Sequence, residues 1–444
     1  MTKVTYITAY KQLARLGLPI LVGQLGMIVT GFADNIMVGR YSTDALASAS
    51  FVNNVFNTAI LGCVGFTYGL TPLAGALFGA GELRRTGAMT RTAMRINLLY
   101  TLIITALMGV LYLNLDRLGQ PAHLLPSIRP YFLLCLAGLI PVAVFNVMAQ
   151  WSYSINDTAL PMWIILAANV LNIGGNYALI YGHWGCPELG LTGAGISTLA
   201  ARVLCPVVIM WIFLRAKRFR IYAEGYRHPA HEAGRVARLW RTSLPVSLQM
   251  TFETAAFSMS AVMVGWLGHI ELAAFQIFLI VGTLGFCVYY SLGSAIAVKV
   301  SNAAAEPDPH RAMRRYAWAG YHIMLALMAT ACITFALGGK LLMGAFTEDA
   351  RVLALAGTLI FPLILYQLGD ATQVTFANAL RGTSHVLPML WIAFLSYVVC
   401  GIPSTYLLCF TAGLGVYGVI LSFSVSLFLA AALFLAYFLR ATRA

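Results

Sequence analysis

Long apolar runs dominate the chain, and short polar or turn-forming breaks separate them. The breaks are rich in Gly and Pro, as in Gly79-Ala80-Gly81-Glu82. A helix needs about 20 apolar residues to cross a bilayer, so runs of this length are typical of membrane-spanning helices. The pattern predicts twelve spans, at residues 13–39, 46–78, 92–115, 128–151, 160–182, 191–215, 240–266, 272–299, 316–339, 352–379, 387–410 and 415–440.

Composition supports a membrane protein. The 444 residues are 60% hydrophobic and only 10% charged, and the mean hydropathy is +0.81. A soluble domain has about 25% charged residues, so a soluble enzyme, a disordered protein and a nucleic-acid binder are all disfavoured. The first apolar run is long and already contains polar residues, so we expect a retained span and not a cleaved signal.

The basic residues are sorted along the chain. Of the 28 Lys and Arg, 22 fall in segments on one predicted face of the membrane and 5 on the other, while Arg202 lies within a span. Eight of the 22 lie in the hydrophilic stretch from Arg215 to Arg241. The positive-inside rule therefore predicts a multi-pass protein of the inner membrane with both termini cytoplasmic. The net charge of +13 is then a topology signal, and membrane lipid is the expected acidic partner.

The two halves of the chain repeat each other at a nearly constant offset of about 226 residues. Both halves follow a cytoplasmic segment, so the repeats run in parallel. The matches are Pro19 with Pro245, Met-Val-Gly at 37–39 with 263–265, Leu-Pro-Met at 160–162 with 387–389, Gly190 with Gly415, Gly193 with Gly418, and Ser197 with Ser422.

These observations predict an all-α integral membrane protein of twelve helices in two six-helix lobes. We expect an N-terminal lobe at 1–214, a basic cytoplasmic linker at 215–240 and a C-terminal lobe at 241–444. Parallel repeats of this kind are typical of transporters, with a cavity between the lobes near the middle of the membrane.

Three acidic residues lie deep inside predicted spans: Asp34, Glu253 and Asp370. A charged carboxylate there costs roughly 2.5–3.5 kcal/mol or more, so such a residue usually lines a cavity, binds a cation or carries a proton. The alternative is a neutral carboxyl that is hydrogen-bonded for structural reasons.

Polar neighbours share helix faces with these acids. Tyr366 and Gln373 lie on the face of Asp370, Gln249 lies one turn from Glu253, and Asn172 and Asn176 recur on the fifth span. Such amides either join helices or supply neutral oxygen ligands to an alkali cation. Candidate Na+ sites are therefore Asp34 with Asn172 and Asn176, or Glu253 with Asp370. Candidates to line a substrate cavity are Gln24, Asn35, Gln249, Tyr289, Tyr290 and Gln373.

Five ordered stretches carry a family resemblance: 31–39, 72–81, 172–182, 244–253 and 366–382. With them, essentially the whole chain resembles the multidrug and toxic compound extrusion (MATE) family, in its NorM-like branch. The resemblance implies a transporter and not an enzyme. It implies export of bulky, often cationic organic compounds by antiport with H+ or Na+ through alternating access, with no cofactor besides the coupling ion. We expect a monomer.

The resemblance also implies residue roles. Asp34 matches the first-span carboxylate of the family, Glu253 and Asp370 match the acids of the second half, and Tyr366 matches the tyrosine one turn earlier. Some relatives carry Asp where this chain has Asn176, which removes one titratable group from the first site. The alternative function is a lipid-linked oligosaccharide flippase of the same wider superfamily, for which a strongly cationic cavity is expected.

Overall fold

The computed structural model of the chain describes residues 5–230, 232–344 and 349–443, with the backbone alone at 338–344. The described chain is built of helices. They are α1 Tyr6–Tyr41, α2 Thr43–Thr67, α3 Leu70–Gly79, α4 Leu83–Leu113, α5 Leu125–Ala137, α6 Leu139–Ser154, α7 Ala159–Tyr181, α8 Gly190–Arg215, α9 Arg220–Arg227, α10 Arg235–Gly265, α11 His269–Asn302, α12 Pro309–Gly344, α13 Ala350–Thr358, α14 Ile360–Gly382, α15 Leu387–Ala393, α16 Ile402–Tyr406 and α17 Gly415–Ala441.

Each predicted span corresponds to a helix or to a broken helix. Over the described residues, ten segments are long and apolar enough to cross a membrane, and α13 with α14 forms an eleventh that bends by 48°. The remaining span, α10, has 31 residues but is too polar to qualify by composition alone. Its polar side chains include Gln249 and Glu253, two of the candidate site residues.

Three spans predicted as single helices are broken. The breaks separate α2 from α3, α5 from α6, and α13 from α14. Two breaks lie at glycines with close neighbours: a Cβ at Gly69 would lie 2.2 Å from Ser243 Oγ, and one at Gly138 would lie 2.9 Å from Arg202 Nη1. Hydropathy does not register such breaks, because the flanking residues remain apolar.

Residue contacts divide the chain into two compact units. One comprises 19–247, and the other comprises 1–18 together with 248–444. This grouping differs from the predicted lobes at 1–214 and 241–444 at both boundaries. The start of α1 packs within the second unit, where the Tyr10 hydroxyl lies 2.9 Å from His322 Nδ1. The predicted linker packs within the first unit.

The linker is a docked element of the first unit and not only a solvated loop. Its helix α9 lies against α4 so closely that a Cβ at Gly87 would lie 2.0 Å from the Tyr222 carbonyl oxygen. A Cβ at Gly225 would lie 1.9 Å from the Arg84 carbonyl oxygen. Tyr222 also packs edge-on against the fully buried Trp151, at 5.7 Å between ring centroids. The basic composition of the segment concealed this apolar face.

In the second unit, the span at 387–411 contains two π-helical stretches, Phe394–Gly401 and Leu407–Thr411. A comparison of the two repeated halves explains why this span contains π-helical stretches. A Cβ at Gly193 would lie 2.4 Å from the Leu179 carbonyl oxygen, and one at Gly418 would lie 2.6 Å from that of Leu408. The residue numbers of the two glycines differ by 225, and those of the two leucines differ by 229. At the start of the spans that carry the leucines, residues 160–162 and 387–389 differ by only 227. The later span therefore has two extra residues, which the wider π turns accommodate.

Candidate functional site

The first-unit site joins α1 to α7. Asn176 donates a hydrogen bond from Nδ2 to Asp34 Oδ1 at 2.5 Å. Asn176 is fully buried, and its own side-chain oxygen has no hydrogen-bond partner among the described residues. The structure thus brings together two residues that lie 142 positions apart and that the sequence singled out separately.

Asn172 lies one turn from Asn176 and extends the site toward α8. Its Nδ2 donates to Thr198 Oγ1 at 3.1 Å, and its carbonyl oxygen accepts a hydrogen bond from Ser197 Oγ at 2.8 Å. Thr198 therefore belongs to the polar set around Asp34, although nothing in the sequence pattern distinguishes this hydroxyl from the many others in the spans. Together these side chains offer a carboxylate and neutral oxygens, the donors that hard cations prefer.

Arg202 is the charged neighbour of this site. Its guanidinium attracts the Asp34 carboxylate electrostatically. From the sequence, snorkelling, pairing with a carboxylate and contact with lipid are open for Arg202, and a structural role is favoured. Its guanidinium also packs at the break between α5 and α6, where a Cβ at Gly138 would lie 2.9 Å from Nη1. The role of Arg202 stays a prediction.

The second-unit site contains both remaining acids. Gln249 donates from Nε2 to Glu253 Oε2 at 2.9 Å. Asp370 is 1% exposed, and its Oδ2 has no hydrogen-bond partner among the described residues. The two carboxylates are near enough to interact electrostatically. Two like charges in a medium of low dielectric constant repel strongly, so a proton or a cation at this pair relieves the repulsion.

Tyrosines surround this carboxylate pair. Tyr366 and Tyr289 are both buried and lie near Asp370. Tyr397, 2% exposed, places its hydroxyl beside Glu253 without a hydrogen bond of normal geometry. Sequence reasoning selected Tyr366 and Tyr289 but missed Tyr397, which lies on the first π-helical stretch. π turns recur at functional sites, but the sequence carried no sign of this one.

The other four residues proposed to line a substrate cavity differ in how deeply they are buried. Asn35 is exposed, Gln24 and Tyr290 are half-buried, and Tyr290 stacks on Phe286 at 5.6 Å. Gln373 is 2% exposed, with its side-chain oxygen lacking a partner among the described residues. Their roles in substrate binding stay predictions.

A small cavity in the second unit occupies the repeat position of the first-unit site. Its volume is about 10 Å³, the space of one water-sized sphere. Two of its lining residues are repeat counterparts of the polar set around Asp34. Ser260 corresponds to Asp34 at an offset of 226, and Phe423 corresponds to Thr198 at an offset of 225. Gly401 and Thr405 line the cavity from the span that repeats the one carrying Asn172 and Asn176.

Hydroxyl groups make the hydrogen bonds around this cavity, in a pattern that differs from that of the first-unit site. Ser422, the counterpart of Ser197, meets the Thr405 hydroxyl at 2.7 Å, and Thr405 donates to the Gly401 carbonyl oxygen at 2.9 Å. The carboxylate is lost, however, and Ser260 donates to the carbonyl oxygen of Ala256. The acids of the two units therefore stand at non-equivalent positions of the repeat.

The described residues contain ten apolar spanning helices, an eleventh bent span and the more polar α10, in two repeated halves with carboxylates inside the spans, and this architecture is that of a multi-pass membrane transporter. The family model MatE matches residues 19–178 and 245–407, so the chain belongs to the MatE family, as a NorM-like transporter. It is not an enzyme. The two matched segments are the two repeated halves.

Individual relatives agree over nearly the full length. The chain is 30% identical over 431 residues to a protein named "Probable multidrug resistance protein NorM" from Bradyrhizobium diazoefficiens, covering 94% of this chain and 91% of that protein. It is 29% identical over 393 residues to a protein of the same name from Xanthomonas axonopodis pv. citri, covering 87% and 84%. The eukaryotic MATE transporter AtDTX14 shares the fold, with a TM-score of 0.86, 17% identity and coverage of 99% and 98%.

Proposed function

We propose that this chain is a multidrug exporter that removes bulky, often cationic organic compounds by antiport with H+ or Na+. The relatives named as multidrug resistance proteins support the substrate class. We place it in the inner membrane with both termini cytoplasmic, as a monomer without a cofactor. The observation that carries the coupling is the Asp34–Asn176 hydrogen bond inside a span, with neutral oxygens beside it.

At the first-unit site, the ion neutralises Asp34. A proton does so directly. Na+ does so with help from Asn172, Asn176 and Thr198, whose side chains supply neutral oxygens. The unpartnered Asn176 oxygen supports this role, because rotation of the amide about its Cβ–Cγ bond exchanges the donor N–H for this oxygen at Asp34.

At the second-unit site, the ion relieves the repulsion between Glu253 and Asp370. The tyrosines near the pair add hydroxyl groups that hydrogen-bond a carboxylate or ligate a cation. The Asn at 176 leaves one acid in the first-unit site, so this pair holds most of the titratable capacity within the spans.

Antiport follows when the ion-loaded form and the drug-loaded form favour opposite conformational states, one inward-open and the other outward-open. A ligand shifts a conformational equilibrium only through its different affinity for the two states. Neutralising Asp34 or the Glu253/Asp370 pair changes the cost of burying these groups, and this cost differs between inward-open and outward-open states. Moving one charge through 100 mV supplies about 2.3 kcal/mol.

The alternative is a flippase for a lipid-linked oligosaccharide. A pyrophosphate substrate needs a strongly cationic cavity, whereas the spans hold Arg202 against Asp34, Glu253 and Asp370. The balance of charge within the spans therefore favours export of cations.

The test is efflux of a cationic dye from proteoliposomes under separately imposed pH and Na+ gradients. We expect one gradient, with no ATP, to drive dye against its concentration. Dye that only equilibrates under both gradients contradicts antiport. Transfer of a fluorescent pyrophosphate-linked lipid between leaflets, without dye transport, selects the flippase.

A further inference from the structure

A basic cavity lies in the second unit, at the ends of α1, α12 and α17. Its volume is about 520 Å³. Its basic lining comes from the first two turns of α12. The lining residues include His310, Arg311, Arg314, Arg315, Tyr6 and Trp318.

The cavity keeps its positive charge despite one acidic neighbour. Asp308 also lines it, but its Oδ1 accepts a hydrogen bond of 3.2 Å from the backbone N–H of Arg311. Asp308 thus caps the N-terminus of α12, where the helix dipole is itself positive and partly offsets the carboxylate charge. Three guanidinium groups, those of Arg311, Arg314 and Arg315, line the opening together with the His310 imidazole.

Packing fixes the basic side chains in place. Arg314 donates from Nε to Thr442 Oγ1 at 3.0 Å and from Nη2 to the Leu439 carbonyl oxygen at 3.1 Å. The Arg315 guanidinium lies 5.8 Å from the ring centroid of Tyr6. A guanidinium presents several N–H donors in a rigid plane, which matches the oxygens of a phosphate.

We infer that this cavity binds the phosphate of an anionic phospholipid headgroup. The chemistry is shared with free phosphate, but the position favours a lipid. The cavity stands at the ends of spanning helices, and half-buried Trp318 lies at its edge, as aromatic residues do at membrane interfaces. Basic pockets between helix ends are typical sites for such headgroups. A bound headgroup would hold the start of α1, through Tyr6, against α12.

The test measures lipid binding to the full chain in detergent by native mass spectrometry, with phosphatidylglycerol, phosphatidylcholine and inorganic phosphate as separate probes. The variant is Arg311→Gln with Arg315→Gln. The matched control is Arg220→Gln with Arg241→Gln, which removes the same charge from the hydrophilic stretch at 215–241. We expect phosphatidylglycerol to bind the wild type and the control alike, and the variant about 30-fold more weakly.

Three results overturn the inference. Equal loss of phosphatidylglycerol binding in the variant and the control shows general attraction to basic residues. Equal binding of phosphatidylcholine removes the requirement for anionic charge. Saturation by inorganic phosphate at micromolar concentration assigns the cavity to free phosphate. A conservative double variant, Arg311→Lys with Arg315→Lys, controls for misfolding. It keeps both positive charges and should retain part of the phosphatidylglycerol binding.

Discussion

The side-chain amide of Asn176 donates to the Asp34 carboxylate, joining two spans at the acid that lies deep inside the first-unit spans. In this arrangement the amide presents its N–H to the charge, and its oxygen is left without a partner among the described residues. The site is therefore arranged around a charged carboxylate and has an unused oxygen for an incoming cation.

The first prediction concerns Asp34→Asn. This variant keeps the size of the side chain and removes the charge that the coupling ion neutralises. One charge in a potential of 100 mV supports about a 50-fold accumulation ratio, which we expect the variant to lose. Dye efflux from proteoliposomes under an imposed gradient measures it. Asp44→Asn, at an exposed acid in the first turn of α2, is the control and should transport normally. Full gradient-driven efflux by folded Asp34→Asn would refute the role of Asp34.

The second prediction concerns Tyr397→Phe. The ring packing remains, but the hydroxyl beside Glu253 is removed. The hydroxyl makes no hydrogen bond of normal geometry to Glu253, so we expect it to contribute about 1 kcal/mol, and the coupling-ion concentration for half-maximal efflux should change about fivefold. The maximal rate at saturating ion should change little.

Tyr437→Phe controls for loss of a tyrosine hydroxyl, because Tyr437 is 40% exposed. An unchanged ion dependence in Tyr397→Phe, with intact folding, would place Tyr397 outside the site.

The third prediction concerns Ser260→Asp, which restores a carboxylate at the counterpart of Asp34. An isolated carboxylate in a span costs roughly 2.5–3.5 kcal/mol, so the variant should unfold at a lower temperature. Lower pH or added Na+ should reverse part of this loss, since either neutralises the new charge. Thermal unfolding in detergent, followed by tryptophan fluorescence, measures both effects.

Ser260→Asn is the matched control, of similar size but without charge. It should show the packing cost without the new dependence on pH or Na+. If the two variants respond identically to both ions, the cavity does not receive a carboxylate as the repeat implies.

The fourth prediction concerns the pH stability of the docked linker. Although partial burial opposes the effect, hydrogen bonds from Arg238, Arg235 and Arg85 hold the pKa of Glu232 below its ordinary value. The folded pKa lies below the unfolded value of about 4.3. The stabilising contribution is therefore complete above this pH and is lost as the pH falls through the folded pKa.

Hydrogen exchange of backbone amides at 232–241, corrected for intrinsic rates, tests this. Protection should stay constant from pH 7 to about pH 5 and fall as the pH is lowered further. Glu232→Gln should lower protection already at pH 7, by about fivefold, since a partly buried ion pair contributes about 1 kcal/mol. The control variant Glu271→Gln, in the first turn of α11, should leave the protection at 232–241 unchanged. Equal protection in Glu232→Gln and the wild type would show that the ion pairs do not hold the linker.

The spans and the main acids could be predicted from the sequence for a physical reason. A spanning segment must satisfy its backbone internally and cover itself with apolar side chains, so an Asp or Glu within it stands out. Asp34, Glu253 and Asp370 were visible in this way, as were Asn172 and Asn176. Thr198 and Tyr397 were not, because hydroxyl groups and tyrosines are common in spans and only contact selects them.

The sequence pattern could not predict the helix breaks within spans, for a related reason. Gly69 and Gly138 lie in runs that remain apolar, and their role depends on Ser243 and Arg202, distant in sequence. The docking of the linker was hidden as well, since its charge masked the small face that packs on α4. Both are properties of tertiary contact and not of local pattern.

The π-helical stretches have a consequence for how the two halves of this chain could diverge. Two residues added to a regular α-helix turn every later side chain by about 200°. Leu408 nevertheless meets Gly418 as Leu179 meets Gly193, so the extra rotation is absorbed before it reaches that contact. One half could thus remodel the lining of its inner pocket while its helix ends kept the inherited alignment. Duplicated helices can in this way acquire different functional side chains while the packing contacts at their ends stay the same.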